Sequence, residues 1–268
     1  YRAHRHLPSF PPRRSSDLGT SISDSEPEER ERRRTLTSHV FYLPYQKRVA
    51  FHVLDTPGYP DFLAEAIGAL HSVETAVLAV SNAGGITFNA RKLWQEAGKA
   101  GVARAILVTR VDGENTDFQE LLEGLVQTFG DVCVPVTYPD GNGAAFGRIH
   151  RVLAGEGEGA AAYRSTLEER AVEVDEALME RFFEQGALSD EDLKRVLPKA
   201  MVAGKVVPVL TAVPPSLAGV EEFLQFAAEY FPSPLDLPGR QTLPSEDGTP
   251  GPTLAADPAR PLAAQVFK

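Results

Sequence analysis

The fold class this sequence predicts is an open α/β sheet that holds its ligand at the carboxyl ends of the strands. Three observations predict it. Short apolar runs such as Thr75 to Val80 and Ala105 to Val108 alternate with longer amphipathic segments, the order of strands joined by crossover helices. These runs are continuously apolar, as strands covered on both faces are. Several also end in polar residues, at Asp55-Thr56-Pro57-Gly58, Thr109-Arg110-Val111-Asp112 and Thr211-Ala212, and that end is where open α/β sheets bind ligands.

The elements follow in order. Ser21 to Arg34 is charge-dense and reads as a mobile loop or a frayed, solvated helix. Thr35 to Leu43 and Val49 to Leu54 are extended runs joined by Pro44-Tyr45-Gln46-Lys47, a hairpin pattern. A helix from about Asp61 places Leu63, Ala66, Ile67 and Leu70 on one face, and another near Asn89 to Ala100 does so with Ala90, Leu93, Trp94 and Ala97. After the strand Ala105 to Val108, a helix presents Phe118, Leu121, Leu122, Leu125, Val126 and Phe129. These stripes are core, not ligand contacts. Val132 to Val136 is a further strand. Beyond it lie the turn Gly141-Asn142-Gly143, a glycine-rich stretch from Gly155 to Gly159, a charged helix from Arg164 to Phe183, and a helix start with a capping signature at Ser189-Asp190-Glu191-Asp192. The strand Val206 to Leu210 and the helix Val220 to Tyr230 follow. Pro232-Ser233-Pro234 stops that helix, and a Pro-, Gly- and acid-rich linker leads to a fresh strand start at Leu262 to Phe267.

Composition narrows the function. The chain has 268 residues, 43% of them hydrophobic, and a net charge of -10, which disfavours a nonspecific grip on nucleic acid through bulk charge, though local patches can still meet a ribonucleoprotein. A single cysteine, Cys133, cannot form an internal disulfide and reads as a small buried hydrophobe in a reducing compartment. No apolar run is long enough for a membrane span. Residues 1–18 carry a formal +3, leaving -13 on the rest, and show neither helical nor strand period nor the apolar stretch of a secretory signal. They read as a cloning- or assembly-derived segment, or as a natural disordered arm.

The strand ends carry the chemistry. Asp55 can hold a nucleotide-bound Mg²⁺ through water, and Gly58 lets a backbone N–H approach a γ-phosphate with no side chain in the way. Asp-x-x-Gly by itself also fits an ordinary strand-to-helix turn. Asp112 can accept the N1–H and N2 amino protons of guanine, which adenine does not offer, while a small residue after the last strand presents an N–H to guanine O6. Alone, Asp112 also fits a loop carboxylate or helix cap. The order of all three signatures is what points to a GTP-binding domain.

On these motifs the chain resembles the GTPase domain of the elongation factor G family, over roughly Gly19 to Lys268. Gly19-Thr20, the acidic stretch and Glu29-Arg30-Glu31-Arg32 look like the family's first switch loop, with Thr35 where its Mg²⁺-binding threonine falls. Asp55-Thr56-Pro57-Gly58 with Asp61-Phe62 resembles the second switch. Tyr230-Phe231-Pro232-Ser233-Pro234-Leu235-Asp236 looks like the signature that closes the domain. The resemblance implies a P-loop GTPase-type sheet with helices on both faces and a family-type insertion at about 134–202. It also implies a GTPase domain over 19–236, a linker at 237–260 and the start of a barrel-type domain at 261–268. Implied ligands are GTP or GDP and Mg²⁺, with Thr35 and Asp55 on the metal, Asp55, Thr56, Pro57, Gly58, Thr109, Arg110, Asp112, Thr211 and Ala212 on the nucleotide, and Gly58 and Tyr59 at the hydrolytic step. The implied setting is a monomeric cytoplasmic translation factor that acts on the ribosome, with no DNA or membrane partner.

The departures matter as much. Tyr59 stands where the family has a water-orienting histidine, and a phenol cannot take the same charge state near neutral pH, though it can hydrogen-bond a water. Thr109-Arg110 replaces Asn-Lys, Thr211-Ala212-Val213-Pro214 replaces Ser-Ala-x-Lys, and Arg33-Arg34 replaces Gly-Ile before Thr35. These resemble the paralogous second type of the factor more than the main translocase. No Gly-x-x-x-x-Gly-Lys-[Ser/Thr] occurs in the sequence, so the phosphate cradle is missing and the chain is expected to be an N-terminally truncated, inactive fragment. The functional expectation is GTP hydrolysis on the ribosome, in translocation or recycling. The alternatives are a slow or non-hydrolysing GTP-dependent ribosome-binding switch, and a ribosome-protection or peptide-release factor.

Overall fold

The computed structural model describes residues 25–242, 248–257, 259–260, 264 and 266–267. The expected features at 1–18 and Gly19-Thr20, and residues 261–263, 265 and 268 of the expected last strand, lie outside them.

The chain enters through helix α1 (Pro27–Arg32), whose capping box pairs Glu26 with Glu29. Strands β1 (His39–Tyr45) and β2 (Val49–Asp55) form an antiparallel hairpin in which His39 faces Asp55. Its turn uses Gln46 and Lys47 at positive φ, the backbone that a tight right-twisted hairpin requires. The first strand begins four residues later than the expected Thr35, because Leu36 and Thr37 give their N–H groups to the Glu29 carboxylate instead of a ladder. The hairpin tip is tied far along the chain, where the Tyr45 hydroxyl donates to Glu221 at 2.8 Å.

Helix α2 (Leu63–Leu70) follows a 3₁₀ turn at Pro60–Phe62. Then come β3 (Thr75–Ser81), α3 (Phe88–Ala100), β4 (Ala103–Thr109), α4 (Phe118–Phe129) and β5 (Cys133–Pro135). Thr87 caps α3 through the Ala90 N–H, and Asp117 caps α4 through Gln119 and Glu120. An insertion follows: β6 (Thr137–Pro139) pairs antiparallel with β7 (Ile149–Arg151), and α5 (Ala160–Ala171), α6 (Glu176–Gln185) and α7 (Asp190–Val202) complete it. The single charged helix expected over Arg164 to Phe183 is therefore two, separated by a 3₁₀ turn and restarted where Asp175 caps the Leu178 N–H. The expected insertion boundary near 134 falls inside β5. Strand β8 (Val207–Ala212) and helix α8 (Val220–Tyr230) close the sheet, and within the expected linker β9 (Arg240–Gln241) pairs with β10 (Thr253–Leu254).

The central sheet is four-stranded and parallel, in the order β3-β4-β8-β5. Both faces are covered over β4, β8 and β5, whereas β3, expected to be covered on both, exposes Val77 and Ala79 on one of them. One face packs Leu121, Leu125 and Phe129 of α4 against Ile106, Val108 and Val209. The other packs the insertion, through Leu167, Leu178, Leu193 and Leu197, against Ala105 and Leu210 together with Phe226 and Tyr230 of α8. The insertion thus shares the core of the sheet. Cys133 is buried there, and burial pushes its thiol up to about 12, in keeping with a packing role.

Among the described residues the hairpin and the central sheet do not pair. Between β2 and β3 lies a cavity of about 130 Å³ lined by Leu54, Ala66, Leu70, Val77 and Trp94. Val77, on its lining, and Val53, the strand neighbour of Leu54, are exposed. Among the described residues, no helix is long and apolar enough to cross a membrane.

Candidate functional site

Two of the three polar strand ends, those of β4 and β8, lie side by side at one end of the central sheet. In the parallel register Ser81 neighbours Thr109, and Thr109 neighbours Ala212. The Asn82 N–H donates to the Thr109 carbonyl at 2.8 Å, locking the exit of β3 to that of β4.

Beyond Thr109 the chain turns sharply. Arg110 takes a left-handed conformation, φ 60°, which costs a residue with a Cβ about 1–2 kcal/mol. The turn is held by its neighbours: Gly113 N–H donates to the Arg110 carbonyl, Thr116 Oγ1 donates to the Val111 and Gly113 carbonyls at 3.0 and 2.8 Å, and Gly143 N–H donates to the Val111 carbonyl. Val111 is fully buried. As a result Asp112 is braced through its backbone while its side chain is exposed, without a hydrogen-bond or ion-pair partner among the described residues. Arg110 is also exposed.

At the end of β8, Thr211 is fully buried and its hydroxyl donates to the Thr137 carbonyl, while its N–H donates to Thr137 Oγ1 at 2.8 Å. The Thr211 side chain is thus spent inside the core, and it is the main chain around Ala212 that lies beside Thr109. Gly219, φ 78°, lets the next loop fold back onto the Thr211 carbonyl, closer than any Cβ allows.

The second half of the site follows β2. Asp55 and Thr56 are half-buried, Pro57 is buried, and Gly58 and Tyr59 are exposed. A Cβ at Gly58 would meet nothing within 4 Å, so the space beside its backbone is open, as an approaching phosphate needs. The Gly58 carbonyl is held from α3 by Asn89 Nδ2 at 2.9 Å. That bond joins the hairpin half of the site to the central-sheet half.

The segment carrying Thr35 is held by Glu29. This carboxylate, wholly buried, accepts from Leu36 N–H at 2.8 Å, Thr37 N–H at 3.1 Å and Glu26 N–H at 3.1 Å, and meets His39 Nε2 at 3.1 Å. Burial raises its pKa, but the hydrogen bonds from Leu36, Glu26, His39 and Thr37 outweigh that and hold it at about 2. Of the Ser21 to Arg34 run expected to be a mobile loop or a solvated helix, residues 21–24 lie outside the described residues, and residues 25–34 are exposed apart from Glu29, the one position that departs from that expectation. Thr35 sits half-buried on this tethered segment, just before the strand whose His39 faces Asp55.

The residues fit a magnesium nucleotide in their donor chemistry. Among the described residues no group of three or more His, Cys, Asp or Glu side chains converges to hold a metal, so a Mg²⁺ here would take a hydroxyl and a carboxylate, from Thr35 and Asp55, and lean on the nucleotide's phosphates. Sequence reasoning missed Asn89, Asn82 and Glu29. Their signals are weak in one dimension, since an Asn inside a helix start and a Glu in a charged run read as surface.

The comparisons bear on the family and the fold. The family described as Elongation factor Tu GTP binding domain matches residues 9–233. The chain is 29% identical, over 266 residues, to an elongation factor G-like protein of Mycobacterium tuberculosis, covering 93% of this chain and 37% of that protein. It is 29% identical to elongation factor G of Thermotoga maritima, over 94% of this chain and 39% of that protein. Elongation factor G 2 of Geobacter metallireducens is likewise 29% identical, over 93% of this chain and 39% of its own length. A crystal structure of a protein from Thermus thermophilus superposes with a TM-score of 0.75 at 29% identity, covering 82% of this chain and 36% of that one. The chain therefore spans well under half the length of these relatives, and on the family match it belongs to the elongation factor Tu GTP-binding domain family, on its elongation factor G side.

Proposed function

We propose that this chain is the nucleotide-handling part of a translation factor that binds GTP and hydrolyses it on the ribosome. The observation that carries this reading is the placement of Asp112. Its carboxylate is exposed and unpartnered among the described residues, on a turn beyond β4 braced by Thr116 and Gly143, beside the end of β8. A guanine ring there would meet the Asp112 carboxylate through its N1–H and N2 amino group, the backbone near Ala212 through O6, and the Arg110 guanidinium through its face. Thr109 and Thr211 act through the backbone positions they fix.

Mg²⁺, when bound, would neutralise charge on the β- and γ-phosphates. Thr35 and Asp55 would hold it, partly through water. Thr56 and Pro57 shape the approach of Gly58, whose N–H meets the γ-phosphate, and Tyr59 hydrogen-bonds the attacking water. Water would add to the γ-phosphorus as its bond to the β–γ bridging oxygen breaks, so that GDP leaves with that oxygen and the water's proton passes to the phosphate or to solvent.

The absent phosphate-binding loop belongs to this reading. The edges of β2 and β3, unpaired among the described residues, and the cavity between them are where a further strand would restore one continuous sheet. We therefore assign hydrolysis to a longer protein that carries this chain together with such a loop, in the cytoplasm and as a monomer. A second reading, a GTP-dependent ribosome-binding switch with little turnover, is favoured by Tyr59 in place of histidine.

The test is nucleotide preference in the longer protein. GTP should bind in preference to ATP. Asp112→Asn should weaken GTP by about 10- to 100-fold, as expected for hydrogen bonds to a charged group worth about 1.5–3 kcal/mol, and shift preference toward xanthine nucleotides. Equal binding of GTP and ATP by the unmutated protein would overturn the assignment.

A further inference from the structure

We propose that Arg34 is a positioning residue for Tyr59: its guanidinium holds the ring that follows Gly58 and ties the loop carrying Thr35 to the loop carrying Asp55. The part of this that concerns turnover rests on the hydrolytic reading above. The Arg34 guanidinium carbon lies 4.4 Å from the centre of the Tyr59 ring, well inside the ~6 Å reach of a cation–π contact.

The main chain on both sides is already fixed, so the side chains decide the geometry. On one side, the Arg34 N–H donates to the Glu29 carbonyl at 3.1 Å, and Leu36 and Thr37 are held by the Glu29 carboxylate. On the other, Asn89 holds the Gly58 carbonyl, and the Phe62 N–H donates to the Tyr59 carbonyl at 3.1 Å. Tyr59 is 47% exposed, so apolar packing leaves its ring free to turn. Arg34 supplies the missing restraint.

Arg34 is suited to it. Among the described residues its guanidinium has no carboxylate partner, and its other contact is a long hydrogen bond from Nε to the Arg32 carbonyl at 3.4 Å. A planar guanidinium can lie flat on a ring where an ammonium cannot. Stacking occupies the face of the ring and leaves the phenol oxygen at its edge, with no protein partner among the described residues. That oxygen is therefore open to a water or a phosphate. The two departures from the family pattern at Arg34 and Tyr59 then form a single contact, which joins the loops that hold opposite sides of the implied γ-phosphate.

Two measurements test this. In the 268-residue chain with ¹³C-labelled tyrosines, Arg34→Met should shift the Tyr59 ring resonances, Arg34→Lys should shift them less, and Tyr42 on the hairpin should stay put. An unmoved Tyr59 signal overturns the proposal, whether or not GTP is hydrolysed. In the longer protein, Arg34→Met should lower kcat about two- to fivefold, in line with a surface cation–π contact, and leave the KM for GTP unchanged. Arg34→Lys should recover part of that. In a Tyr59→Leu background the same change should have no further effect. A loss that persists in that background means that Arg34 acts on the substrate directly, and overturns the positioning role. Ring shifts without measurable turnover in the unmutated protein support the positioning and count against the hydrolytic reading instead.

Discussion

Replacing Glu29 by Gln should loosen the whole approach to the candidate metal site, and the size of the effect follows from its bonding. The carboxylate is wholly buried and uses both oxygens, one for Leu36 and Thr37 and the other for the Glu26 N–H. Glutamine keeps the shape but offers one neutral acceptor and sets an NH₂ group against a donor. Holding a carboxylate at about 2 instead of 4.5 corresponds to roughly 3 kcal/mol of folded-state stability near neutral pH. Losing one charged acceptor that serves backbone N–H groups gives a similar figure, about 1.5–3 kcal/mol. Because the folded pKa lies below the unfolded one, this stability is fully present above about pH 4.5 and is lost as pH falls toward 2. Urea titrations of both proteins between about pH 7 and pH 3 should show a gap of about 3 kcal/mol at the upper end that narrows below about pH 4.5. Hydrogen exchange at the Leu36 and Thr37 amides should quicken in the variant. A gap under about 0.5 kcal/mol near neutral pH, or one that does not narrow in acid, would refute the reasoning.

Two further outcomes are expected. Tyr59→His in the longer protein should raise ribosome-stimulated GTP turnover, by up to the roughly 10²- to 10⁴-fold that general acid–base assistance supplies; no gain at unchanged nucleotide affinity means that Tyr59 or another residue already does the work. Leu125→Ala, at a fully buried position under the central sheet, should cost about 2–5 kcal/mol by thermal or urea denaturation, whereas Phe88→Ala, at a residue 80% exposed, should stay within about 0.5 kcal/mol.

Much of the fold was legible along the chain, because its signals are local. The helix over Phe118–Phe129 shows its core face in its spacing, and the structure buries that stripe except for the half-buried Val126. Ser189 caps α7 through the Asp192 N–H as its pattern predicts. Misreadings came where distant partners intervene. Thr35 to Thr37 look extended, but their neighbourhood answers to Glu29. The run from Arg164 to Phe183 has continuous helical composition, yet α5 ends where Val172 packs into the insertion core, and Asp175 starts a new helix.

By itself, the sequence determined the alternation of strands and helices, the order of the polar strand ends, and hence the kind of ligand to expect. Each of these depends on period and on short-range turn chemistry, which a chain carries residue by residue. The tertiary structure alone decided which groups are spent and which are free. Thr211 turns inward to Thr137, whereas Asp112 stays open beyond its braced turn. Asn89 reaches the Gly58 carbonyl, and Arg34 lies on Tyr59. These contacts join residues 25 to 74 positions apart. Burial and proximity at such separations are set by how the hairpin, the helices and the sheet pack together, and no local pattern records that.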